Sequence, residues 1–90
     1  MIRVYLQATE IRVEGHGDPS TELGMRACAG VSALLKAAEL YVQTSGKGTS
    51  CFGRGYACIT RTDPAVMKML ELGLVGIAMV SGDQVVLMAT

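Results

Sequence analysis

The chain carries one histidine, His16, and three cysteines, Cys28, Cys51 and Cys58. His16 sits in the string GHGDPST, and Cys28 follows twelve residues later in CAGVSALL. A loop histidine and a cysteine near a helix start can meet if the loop folds back. The helix N-terminus favours a thiolate over a thiol, and a neighbouring imidazolium favours it further. Such a thiolate attacks a carbonyl carbon, the imidazole moves the proton, and backbone N–H groups around Ala27–Ala29 are candidate donors to the oxyanion. Read residue by residue, the same pair also fits a surface histidine and a small buried thiol. Cys51 and Cys58 lack a metal-ligand spacing, and no metal or other cofactor is expected. SGKGTS at 45–50 has part of a phosphate loop but not the glycine four residues before Gly46, and it follows a helix rather than a strand.

Elements on either side must position these groups. Ile2, Val4 and Leu6 alternate with Arg3 and Tyr5, and Ile11 and Val13 with Arg12 and Glu14. Period two with β-branched residues predicts strands over 2–6 and 9–14, joined by a tight turn at Gln7–Ala8. Residues 15–21 are a loop. From Gly24 onward, Val31, Leu34, Leu35, Ala38, Tyr41 and Val42 recur at helical spacing, with Gly46 as the C-terminal cap. Gly30 within that helix suggests a close backbone contact. Residues 51–61 read as one strand, with Phe52, Arg54, Tyr56, Cys58 and Thr60 on one face and Cys51 on the other. Arg54 then sits on a solvated face or serves as a substrate or partner contact. Thr62 or Asp63 caps a second helix that starts at Pro64 and runs to about Val80. Gly82–Asp83 turns the chain into a last strand over 84–89. The expected fold is α+β: two layers in the order β-β-α-β-α-β, a four-stranded mixed sheet with two helices on one face.

Ninety residues suit one domain, taken as 1–90. Half of them are hydrophobic and 18% are charged, which excludes a disordered chain. Eight basic residues balance eight acidic ones, so no global field supports direct nucleic-acid binding. The longest uncharged run, residues 72–82, is far below the roughly 20 residues of a membrane span and contains Gly73, Gly76 and Gly82. The opening residues have no signal-peptide pattern. An odd cysteine count argues against a disulfide framework and for a reducing, cytoplasmic setting. Residues 70–80 leave little polar surface, so this helix needs cover on more than one side, most simply from a second copy. The methionines read as gap-filling, with Met67 and Met69 as candidates for a groove or interface.

GHG at 15–17, then Gly24, then CAGVSALL at 28–35, resembles the Prp family of ribosomal-processing cysteine proteases. Gly55–Tyr56 and LELGLVGIA resemble its later segments. The resemblance implies that Cys28 is the nucleophile and His16 its general base, and that Ser32, one turn after Cys28, supports them. It implies a homodimer, a mobile loop between histidine and cysteine, and a peptide substrate, the N-terminal extension of a large-subunit ribosomal protein. The family often has an aspartate three residues before the cysteine, where this chain has Met25. Asp18 and Glu22 in the same loop are the candidates to replace it. Met25 and the compact length leave open a divergent, phage-encoded member with another substrate. Met25 also motivates a rival, a dimeric binding module that kept the fold without turnover, and the apolar helix motivates another, a purely structural assembly protein.

Overall fold

The structure, a computed structural model, describes residues 1–88; Ala89, placed in the last strand by its sequence pattern, lies outside the described residues. The elements are β1 (Ile2–Leu6), β2 (Glu10–Gly15), α1 (Glu22–Ser45), β3 (Thr49–Gly53), β4 (Tyr56–Thr60), α2 (Pro64–Val80) and β5 (Val85–Met88), with a single 3₁₀ turn at Gly82–Gln84. The sheet has five strands, not four, in the order β3-β4-β2-β1-β5. β1–β2, β2–β4 and β3–β4 are antiparallel, and β1–β5 is parallel.

The extra strand comes from residues 51–61. The expected single strand is folded in two by a turn at Arg54–Gly55, which pairs Gly53 with Tyr56 and Phe52 with Ala57. Gly55 has φ +70, which a tight turn can demand and which costs glycine nothing. Folding the strand reverses its parity before the turn. Phe52 shares a face with Ala57, and Cys51 shares the opposite face with Cys58. Arg54 is a turn residue and not a strand contact.

The first hairpin is tight, as expected, with the turn one residue later at Ala8–Thr9, where the Gln7 N–H donates to the Glu10 carbonyl at 2.9 Å. Ile2, Val4, Ile11, Val13, Ala57, Ile59 and Val85 form the inner face of the sheet. They pack with Ala27, Val31, Leu35, Ala38 and Val42 of α1 and with Met67, Leu70 and Leu74 of α2. Both helices therefore cover one face. A Cβ placed on Gly73 would lie 2.5 Å from Leu34 Cδ2, so Leu34 fills a notch in α2 that only glycine leaves open. At Gly30 a Cβ would meet Ile77 at an ordinary 3.5 Å, so the close helix approach falls at Gly73 rather than at Gly30.

The two helices are also tied at their ends. Gly46 closes α1 in the left-handed conformation, its N–H donating to the Val42 carbonyl. Asp63 precedes Pro64 at the start of α2 without a side-chain capping bond. Its carboxylate instead accepts the Tyr41 hydroxyl and pairs with Lys47 Nζ at 3.3 Å. This uses the lysine of SGKGTS in an ion pair. The Tyr41 hydrogen bond, aided by Lys47, holds the Asp63 carboxyl below its ordinary range. A depressed carboxyl stabilises the fold above its unfolded pKa, about 4, and that stability is lost as pH falls through the folded value. The melting temperature of Asp63→Asn should therefore fall less than that of wild type between about pH 5 and 3. Parallel melting curves across that range check it.

Candidate functional site

Gly17 and Gly24 explain how the loop after β2 returns to the first turn of α1. A Cβ on Gly17 would lie 2.1 Å from the Gly24 carbonyl oxygen, and one on Gly24 would lie 2.1 Å from the Asp18 carbonyl oxygen. Only two glycines allow backbone to lie on backbone here. The loop is fastened further along: the Asp18 N–H donates to Gln84 Oε1 at 2.7 Å, and Thr21 Oγ1 caps α1 by accepting the Gly24 N–H at 3.0 Å. His16 is held on its far side by the β3–β4 turn. The Gly15 N–H donates to the Gly55 carbonyl at 2.9 Å, and a Cβ on Gly55 would lie 2.7 Å from His16 Nε2.

This fold-back brings His16, Cys28 and Ser32 to one cavity of about 200 Å³ between α1 and the β3–β4 hairpin. Cys28 is half-buried, while His16 and Ser32 are exposed. Ile2, Val13, Val31, Leu35 and Ala57 line the apolar side of the cavity, and Phe52 and Lys36 also line it. The Lys36 ammonium lies 5.8 Å from the centre of the Phe52 ring. Among the described residues no hydrogen bond joins His16 to Cys28, and no cluster of metal ligands forms.

The other expected site residues lie elsewhere. Asp18 accepts the Ser20 hydroxyl at 2.6 Å and the Ser20 N–H at 2.9 Å, bonds that hold its carboxyl below the ordinary range. Glu22 pairs with Arg26 at 2.6 Å on the solvent side of α1. Neither lines the cavity. Met25 is 54% exposed on the same side. α1 begins at Glu22, earlier than its apolar stripe announces, because Thr21 caps it. Ala27, Cys28 and Ala29 are therefore past the first turn. There, N–H groups are taken by carbonyls four residues back and the helix field has largely decayed. These N–H groups are not free oxyanion donors. Ser32, one turn beyond Cys28 on the same cavity, is the nearest alternative on α1.

Phe52 and Lys36 were not singled out by the sequence pattern. Phe52 reads as outward-facing until the Gly-Arg-Gly turn is recognised. Met67 is buried in the core and also borders a second hollow with Leu6 and Pro64, whereas Met69 points to solvent.

A two-layer α+β fold with a thiol and an imidazole in one cleft defines the structural class. No family model and no curated protein matches the chain. Solved structures do. The essential ribosomal processing protease Prp from S. aureus, in complex with a substrate peptide, superposes with a TM-score of 0.76 at 17% identity over 100% of both chains. The same protease with a covalently linked product peptide gives 0.70 at 18% identity, over 96% of this chain and 94% of that one. SMU.848 from Streptococcus mutans gives 0.76 at 19% identity, over 97% and 91%. The chain has the Prp fold throughout its length.

Proposed function

We propose that the protein is a cysteine endopeptidase of the Prp type, with Cys28 as nucleophile and His16 as general base. The observation that carries this reading is the shared cavity. His16 and Cys28, brought together by the Gly17–Gly24 contact, open onto one apolar cleft in a fold that in S. aureus Prp holds substrate and covalently linked product peptides.

In this reading His16 takes the Cys28 proton and the thiolate attacks the scissile carbonyl. The tetrahedral oxyanion collapses, the imidazolium protonates the leaving amine, and a thioester remains. Water, deprotonated by His16, then attacks the thioester and restores the thiol. Ser32 replaces the backbone N–H groups of Ala27 and Ala29 as oxyanion donor. The apolar cavity wall takes a substrate side chain, and no cofactor is required.

The proposed substrate is the N-terminal extension of a ribosomal protein, and the proposed active species is a homodimer. Met69, Leu72, Met79 and Val80 leave an apolar stripe on the outer side of α2, Met79 being 80% exposed. An uncovered stripe of this kind suits a second copy. The rival reading, a binding module without turnover, draws on the absence of Asp18 and Glu22 from the cavity.

Incubation with a peptide spanning such an extension, read by mass spectrometry, separates the two. Wild type should yield two products and Cys28→Ala intact peptide; equal cleavage by both would overturn the thiolate mechanism.

A further inference from the structure

The turn at Arg54–Gly55 has a second effect, on the side of the hairpin that faces away from the cleft. Cys51 of β3 and Cys58 of β4 are direct cross-strand partners. Directly opposed residues of antiparallel strands have Cα atoms about 4.5–5.5 Å apart, inside the range that a disulfide spans. Their side chains share one face of the sheet. Cys51 is exposed and Cys58 is buried, and both are free. The Cys58 thiol lies 3.4 Å from Glu10 Oε1. The neighbours of the two cysteines, Phe52 and Ala57, are themselves partners and line the cleft of His16 and Cys28.

We propose that Cys51 and Cys58 are a redox site: hydrogen peroxide converts them into a reversible cross-strand disulfide, and the bond reshapes the hairpin wall of the cleft. The second half of this proposal rests on the peptide-binding reading given above.

The roles of the two thiols follow from their surroundings. The exposed Cys51 meets peroxide first. Its thiolate attacks one peroxide oxygen, the O–O bond breaks, and hydroxide leaves and is protonated to water. Cys51 is then a sulfenic acid. The Cys58 sulfur attacks the Cys51 sulfur, the S–O bond breaks, and the thiol proton leaves with the hydroxyl as a second water. Two thiols are oxidised and one peroxide is reduced. Burial first, and the Glu10 carboxylate second, raise the Cys58 pKa, which suits it to the resolving step within contact range rather than to the first attack on a dissolved oxidant. A thioredoxin-type dithiol reverses the bond.

The coupling is mechanical. A disulfide needs Cβ atoms about 3.8 Å apart, closer than opposed β residues usually stand. Pinching the outer face of so short a hairpin spreads its inner face, and Phe52 and Ala57 are the residues that move. Phe52 then leaves the position in which it packs by the cleft.

Cys28→Ser protein, in which Cys51 and Cys58 are the remaining thiols, tests both halves. After peroxide, titration of the denatured protein should fall from two thiols to none and return to two with dithiothreitol. Non-reducing trypsin digestion should link GTSCFGR to GYACITR. Cys51 carried on to sulfinic acid beside an intact Cys58 thiol would overturn the disulfide, as would a Cys51–Cys51 link between two chains. The oxidised protein should bind the extension peptide at least about fivefold more weakly than the reduced protein, the low end of coupling between sites. Equal affinities would overturn the coupling. No binding in either state would remove the peptide reading while the thiol count still decides the disulfide.

Discussion

Alanine in place of His16 is expected to lower kcat/KM for the extension peptide about a thousandfold, a loss that added imidazole partly restores. The size follows from the role. A positioned general base contributes about 10²- to 10⁴-fold, and a thousandfold loss corresponds to about 4 kcal/mol at the transition state. The rescue follows from the geometry. His16 is exposed and lies at the cleft against Gly55, and among the described residues no carboxylate lines that cavity. Removing the imidazole leaves a solvent-connected space that a free imidazole can enter. Cys28→Ala should lose at least as much activity and gain nothing from imidazole, because no small molecule in the assay replaces the thiol that carries the acyl group. The structural cost of His16→Ala is small, because the loop is held by the Gly17–Gly24 contact and by Asp18 on Gln84, not by the ring. Steady-state kinetics with and without imidazole, beside melting curves of both variants, check this. Full activity in His16→Ala would remove the imidazole from the mechanism.

The contrast between His16 and the oxyanion donors shows what the chain announces and what it hides. GHG, Gly24 and Cys28 lie close in sequence, and their spacing allows a loop that returns to a helix without requiring it. Two of those glycines turn out to be the contact itself. The helix start was harder to place. Its apolar stripe becomes dense only after Gly24, whereas its cap is a single hydroxyl at Thr21 that bonds the Gly24 N–H. A shift of a few residues moves Ala27 and Ala29 from free donors to helix interior, which is why the proposed mechanism turns to Ser32. The β3–β4 hairpin was hidden for a related reason. Residues 51–61 keep a strand-like alternation through the turn, and Arg54–Gly55 lacks the Asn or Asp that usually flags a hairpin. Strand parity then inverts every residue before the turn. Phe52 moves into the cleft, and Cys51 moves beside Cys58. The hairpin wall of the cleft and the paired cysteines thus became visible only with the register, which depends on long-range pairing of β4 with β2. The replacement carboxylates followed the same pattern. Asp18 and Glu22 have the right chemistry in the right loop, but each satisfies a closer partner, Ser20 and Arg26.

The largest loss of stability is expected from Leu74→Ala, about 3 kcal/mol or more. Leu74 has no exposed surface and packs in the core shared by both helices and the sheet. Truncating a buried leucine removes its transfer free energy and leaves a cavity, and the cost rises with how little the surroundings can close in. Here they can close in little. Leu34 already fills the Gly73 notch one residue away, so α2 cannot sink toward α1 there without displacing Leu34. For a chain of this size each kcal/mol shifts the melting temperature by about 4–8 °C, so Leu74→Ala should melt about 12–24 °C below wild type. Met79, on the same helix, supplies the contrast. It projects outward, and Met79→Ala should change the stability of the folded chain by less than about 0.5 kcal/mol when measured at a concentration where the protein is monomeric. If the outer stripe is the face that meets a second copy, the Met79→Ala effect should grow with protein concentration, whereas the Leu74→Ala effect should persist at every concentration. Thermal melts over a dilution series read both. A Leu74→Ala shift of only a few degrees would mean that the two helices slide to refill the space. The contact of Leu34 with the Gly73 notch would then be looser than the structure shows.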